Sequence, residues 1–74
     1  MPEPIRRHYA LTPEKVKGGW RVDHLQEHKS RGEAERASLT LLGRYGAGAA
    51  VTTMDHELAN GEVIDDATLN GRRR

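Results

Sequence analysis

From His8 to Thr12 apolar and polar positions alternate, with Tyr9 and Leu11 on one side and His8, Ala10 and Thr12 on the other. Period two marks a strand with one buried face, and Pro13 closes it. After the polar link Glu14 to Lys17, the pair Gly18-Gly19 accepts positive φ at little cost. Trp20 and Val22 then alternate with Arg21 and Asp23, so two short strands joined by a glycine-containing loop predict a hairpin.

The period changes at Ser30. Ala34, Ala37, Ser38, Leu41, Leu42 and Tyr45 recur at helical spacing, with Glu33, Arg36, Thr40 and Gly43 opposite. Ser30 and Glu33 have capping-box spacing: the hydroxyl can take the Glu33 amide while the carboxylate reaches back to the Ser30 amide. Gly46 is a ready left-handed residue after the last turn. The pattern predicts a helix over Ser30–Tyr45. Beyond it, Val51 and Thr53 alternate with Ala50, Thr52 and Met54, and their β-branching favours a strand. Asn60-Gly61, between Leu58 and Val63-Ile64, is a type I′ hairpin signal, which predicts a second hairpin from about Ala50 to Asp65.

These elements describe an α+β module: two hairpins in a small, mainly antiparallel sheet, a ββαββ-like order, with the helix on one face. One helix covers one face of a sheet, so the other is expected to meet water, a second copy or a different molecule. Residues 1–7, with prolines and the pair Arg6-Arg7, read as an arm, 8–69 as a single domain and 70–74 as a basic tail.

Composition makes the core thin. The 74 residues are 35% apolar, with no Phe, one Trp and two Tyr, and with no Cys to form a disulfide or a thiolate metal site. A core this small barely offsets the ordering entropy of the chain, which predicts self-association as a homodimer. The lack of cysteine fits a reducing cytoplasm. No apolar run is long enough for a membrane span or a signal peptide.

Net charge is +1, too small for a dedicated nucleic-acid binder by bulk electrostatics. Its distribution is uneven. Residues 1–44 hold nine Lys/Arg against six Asp/Glu, while residues 45–71 hold five acids and no base: Asp55, Glu57, Glu62, Asp65 and Asp66. Arg72, Arg73 and Arg74 follow.

Candidate chemistry is sparse. His24-Leu25-Gln26-Glu27-His28 matches the H-x-x-E-H pattern of inverted zinc metalloproteases. That chemistry needs both imidazoles on one helical face and a third ligand, whereas this stretch precedes the helix cap and falls in a strand end or loop. His56 between Asp55 and Glu57 invites an acid–base reading, but neighbours on a strand point to opposite faces. Solvated charge is the simpler account. No phosphate loop, nucleophile elbow or internal repeat is present. Trp20 reads as a core or core-edge residue, with stacking on a ligand as the lesser alternative. Leu39 lies off the main apolar face, as a half-buried margin or a contact with another chain.

Thr12-Pro13, Gly18-Gly19-Trp20 with Val22, a helix with spaced alanines, Asn60-Gly61-Glu62-Val63-Ile64 and Thr68 to Gly71 together resemble a family of short bacterial and phage-borne domains, domain of unknown function 2188. The resemblance spans most of residues 8–71, and Gly-Gly-Trp-x-Val is its most specific piece. The chain departs from that family in the polar stretch Asp23 to Lys29 and in Leu69, where an aromatic is usual. The resemblance implies a ββαββ-like α+β fold and no catalytic residues.

The expectation is a non-enzymatic, cofactor-free protein-interaction module, of the size of accessory or phage-encoded inhibitors of larger machines. It would act through the uncovered sheet face, a strand edge or the acidic hairpin, with Asp55, Glu57, Glu62, Asp65, Leu39 and Trp20 as candidate partner contacts. The alternative is nucleic-acid binding through Arg6, Arg7, Arg72, Arg73 and Arg74, with Trp20 or Tyr9 stacking.

Overall fold

The computed structural model describes residues 3–70. Its elements run β1 (Arg6–Val16), β2 (Gly19–His28), α1 (Arg31–Tyr45), β3 (Ala49–Met54), β4 (Val63–Ile64) and α2 (Asp66–Asn70). The strands form one four-stranded antiparallel sheet in the order β3-β1-β2-β4. The chain is thus an α+β domain with a helix packed against a small antiparallel sheet, as its pattern predicts.

The expected caps bound α1. Ser30 is the N-cap in extended conformation and its Oγ accepts the Glu33 amide at 3.2 Å. The Glu33 carboxylate reaches one residue further back than expected, accepting the Lys29 amide at 3.2 Å. Gly46 ends the helix at φ 81°, donating its amide to the Leu42 carbonyl.

Strand pairing departs from the expected scheme at the second hairpin. β3 pairs with β1 and β4 with β2, so the segments flanking Asn60-Gly61 lie on opposite edges of the sheet. Gly61 takes φ 87° while Asn60 stays out of the left-handed region, a type II turn and not the I′ turn that twists two strands together. The Gly61 amide donates to the Val22 carbonyl at 2.6 Å and the Val22 amide to the Glu62 carbonyl at 2.8 Å. The turn therefore delivers the chain onto β2.

The first hairpin is longer than its alternation indicates. β1 begins at Arg6, inside the expected arm, and runs through Pro13 to Val16. Pro13 is tolerated because β3 pairs with β1 only as far as Leu11, so the missing N–H points past the end of β3. In β2, His24 and Leu25 together oppose Leu11, a bulge with His24 at φ 51°. The Leu25 amide donates to Asn60 Oδ1 at 3.0 Å. Gly19 lies where β4 crosses closely: a Cβ there would run into the Ile64 carbonyl.

Both faces of the sheet are covered. The helix face carries small residues, with Ala10 and Ala34 fully buried and Leu41 nearly so. The larger core is on the opposite face: Tyr9, Leu11, Val22, Val51, Leu58 and Ile64, flanked by Trp20, Leu25, Ala49 and Leu69. It is roofed by the chain from Asp55 to Asn70, with Leu58 buried and Leu69 packed against it. The face expected to meet water or a partner is thus filled by this chain's own C-terminal segment, because Leu58 and Leu69 have nowhere else to bury apolar area.

Candidate functional site

What the fold leaves open is the outer edge of β3, where among the described residues no further strand pairs. Its hydrogen-bonding phase can be read from one contact. The Asp55 amide donates to the Ile5 carbonyl at 2.9 Å, which makes residues 5 and 55 a hydrogen-bonded pair of the antiparallel ladder. Alternation along the register then turns Ala49, Val51 and Thr53 toward β1. Ala50, Thr52 and Met54 present their N–H and C=O groups outward. The side chains alternate between the two faces of the sheet, with Val51 and Thr53 buried and Ala50, Thr52 and Met54 half-exposed.

Along this edge runs a groove of about 710 Å³, lined by Arg6, His8, Arg31, Thr52, Thr53, Met54, His56, Ala67, Thr68 and Asn70. Two arginines and two histidines line it, and no carboxylate does. Cross-strand pairing places Arg6 beside Met54 and His8 beside Thr52. Arg31 comes from the first turn of α1, and its Nη1 donates to Thr52 Oγ1 at 3.2 Å, while His8 Nδ1 lies 3.0 Å from the same hydroxyl. Arg31 also meets Glu35 at 3.9 Å, an exposed i,i+4 pair worth only about 0.3–0.5 kcal/mol. Arg6 has no carboxylate within 4.0 Å among the described residues and stands where this groove meets a second one lined by Glu27, His28, Lys29 and Glu33.

The residues expected to contact a partner fall elsewhere, and most of them hold the fold together. Asp55, at φ 57°, accepts the Ile5 amide at 2.9 Å and closes the sheet beyond β3. Glu62 clamps its own loop, with Oε1 accepting the Ala59 amide at 3.1 Å and Oε2 2.7 Å from His56 Nε2. Asp65 caps α2, accepting the Thr68 amide at 2.7 Å, and hydrogen bonds from Thr68, side chain first and backbone next, hold its carboxyl below the usual aspartate value. Glu57 is exposed and 4.0 Å from Arg7. The acids do not form one hairpin surface, because the hairpin expected to carry them is divided between the two edges.

Trp20 is a core-edge residue: its indole N–H donates to Asp66 and Lys15 Nζ sits 4.9 Å from its ring centroid. Leu39 is 67% exposed and forms a ridge with Leu42 and Tyr45, which the helical pattern had assigned to the buried face. The helix buries a narrower stripe than its apolar spacing suggests, because the sheet surface beneath it offers alanines and threonines and contacts chiefly Ala34 and Leu41.

The His24-Glu27-His28 pattern lies on β2, not on a helix. His24 stacks on Tyr45 at 3.9 Å between ring centroids, Glu27 pairs with Arg7 at 3.5 Å, and His28 Nε2 is 3.4 Å from Gln26 Oε1. Among the described residues no group of three His, Asp or Glu is placed to hold a metal ion. Of the arginines singled out for nucleic acid, Arg6 lines the groove, Arg7 pairs with Glu27 and Glu57, and Arg72 to Arg74 lie outside the described residues. His8, Arg31, Thr52 and Met54 were not singled out by sequence. Their grouping depends on the β1–β3 register, which no local signal encodes.

Fold and edge together give a small α+β domain whose β3 edge, unpaired among the described residues, lies in a groove with two arginines. Comparison with protein-family models, with curated proteins and with solved structures gives no match. None of these comparisons supports the resemblance to domain 2188.

Proposed function

We propose that this chain is a non-enzymatic protein-interaction module that takes up an extended segment of a partner by strand addition at β3. The observation that carries this reading is the outward phase of Ala50, Thr52 and Met54 on an edge with no neighbouring strand among the described residues. Such an edge offers main-chain donors and acceptors in alternation, the recognition element of β-augmentation. Edges that have no partner are usually blunted by short strands, lysines or prolines, and the Ala-Ala-Val-Thr-Thr-Met sequence of β3 has neither lysine nor proline. A role as an accessory or inhibitory subunit fits this mode, as does a cytoplasmic setting for a cysteine-free chain. No helix among the described residues is long and apolar enough to cross a membrane.

The nucleic-acid alternative is less well supported. Trp20 is engaged with Asp66 and Lys15, Arg7 with two glutamates, and Tyr9 is buried. The groove contains no Trp, Tyr or Phe on which a base could stack.

Amide hydrogen exchange tests the reading. In the free protein the Ala50, Thr52 and Met54 amides should exchange much faster than those of Val51 and Thr53, and a bound partner should protect them. If those three amides are already as protected as their neighbours, the edge is closed and the proposal fails.

A further inference from the structure

We infer that the segment taken up at β3 is acidic, with carboxylates at alternate positions facing the α1 side of the sheet. This rests on the strand-addition reading and adds the chemistry of the partner. Thr52 and Met54 are two residues apart on the same face of the strand, about 6.6–6.8 Å along it. At Thr52 stand Arg31 and His8, held by the shared hydroxyl; at Met54 stands Arg6. A strand laid beside β3 repeats its side chains on one face with the same spacing. Carboxylates at positions i and i+2 therefore come level with Arg31 and Arg6 in turn.

The intervening positions of such a strand point to the other side of the sheet. There the groove wall is Ala67, Thr68 and Asn70 of α2 with Thr53 and His56, small or uncharged apart from the histidine, which is 2.7 Å from Glu62. The groove thus fits an alternating acidic and small apolar segment. No carboxylate lines this groove, and nearby ones, Glu35 beside Arg31 and Glu27 and Glu33 in the adjoining groove, stand outside it.

A second copy of β3 fits the groove less well. Its sequence brings no acid, and a twofold pairing would set Arg6 and Arg31 against their own copies. A nucleic acid fits less well too. Its backbone has no N–H to meet the outward C=O groups, and the groove has no Trp, Tyr or Phe for its bases.

The test uses the full chain, isotopically labelled, and capped hexapeptides in which valine alternates with glutamate, glutamine or lysine. We expect the glutamate peptide to shift the Ala50, Thr52 and Met54 amides and to bind about tenfold tighter than the glutamine peptide, the scale of two exposed ion pairs. The lysine peptide should not bind. Raising salt should erase the glutamate advantage. The double variant Arg6→Gln, Arg31→Gln should remove the same advantage, so that the glutamate and glutamine peptides bind it equally.

Equal binding of glutamate and glutamine peptides at these amides would overturn the charge inference and leave strand addition standing. No peptide shifting these amides would remove both. A six-nucleotide oligothymidylate, or inorganic phosphate, shifting them as strongly as the glutamate peptide would overturn the inference in favour of nucleic acid or a simple anion site.

Discussion

The Tyr9 hydroxyl accepts the Leu58 amide at 3.2 Å, joining residues 49 positions apart in the chain. Tyr9 lies on β1, an inner strand of the sheet, and is 2% exposed, so this bond is buried and ties the irregular segment after β3 onto the sheet. It is also the largest side chain of the buried core.

Tyr9→Phe should therefore lower stability by about 1–3 kcal/mol, the cost of a buried amide left without its acceptor. Denaturant unfolding with an unchanged slope measures it. An unchanged midpoint would mean that apolar contact alone holds Leu58 in place.

Ser30→Ala should cost about 1 kcal/mol through loss of the N-cap bond to Glu33. In a domain with so small a core this appears as a lower melting temperature. Ser30→Asp should restore most of it, since an aspartate accepts the same amide and suits the helix N-terminus.

Asp65 sets an acid limit on the docking of α2. Its carboxyl is held below the usual aspartate value by the Thr68 hydrogen bonds, so the native state favours the ionised form. The stability this supplies is fully present above the ordinary aspartate value and is lost as pH falls through the lowered one. Observed by carboxyl NMR, Asp65 should titrate below the ordinary aspartate value, and Thr68→Val should raise its midpoint. A midpoint that ignores the Thr68 change would exclude the cap as its cause.

The histidine pattern on β2 should be chemically idle. His24→Ala and Glu27→Ala should leave peptide binding at β3 intact, and a chelator should not alter the melting temperature. Stoichiometric zinc bound through nitrogen and oxygen at about 2.0–2.1 Å would reverse that expectation.

We expect self-association through Leu39, Leu42 and Tyr45, the large apolar side chains exposed on α1. Sedimentation at high micromolar concentration should show a dimer that Leu39→Glu dissociates. A dimer unaffected by that change would have to form elsewhere, and a monomer would end the homodimer expectation.

Features that depend on neighbours in the chain were the legible ones. Ser30, Glu33 and Gly46 bound α1 through contacts within four residues, and the alternation at Tyr9–Leu11 and Val51–Thr53 shows which side chains turn inward. Asn60-Gly61 misleads because its turn joins the chain to β2, laid down some 40 residues earlier, and not to the strand just before it. Pro13 reads as a stop only if a neighbouring strand needs its N–H, and none does. The groove was the least legible feature. Arg6, His8 and Arg31 come from two elements and meet only through the β1–β3 register and the seat of α1 on the sheet. The acids stood out as a charge block because composition cannot distinguish a solvated carboxylate from one capping a helix or clamping a loop.

The two rims of the sheet are not alike, and this limits stoichiometry. β4 is two residues long and pairs only with Trp20 and Arg21 of β2, and beyond it Val22 and Leu25 are bonded to the Asn60–Glu62 turn, so that side is interrupted where β3 is continuous. β3 is six residues long and, among the described residues, unpaired on its outer side. A sheet extendable from both sides propagates into a filament, whereas one extendable from a single side accepts one strand and then terminates. On the proposed reading each copy would take up one segment, at β3.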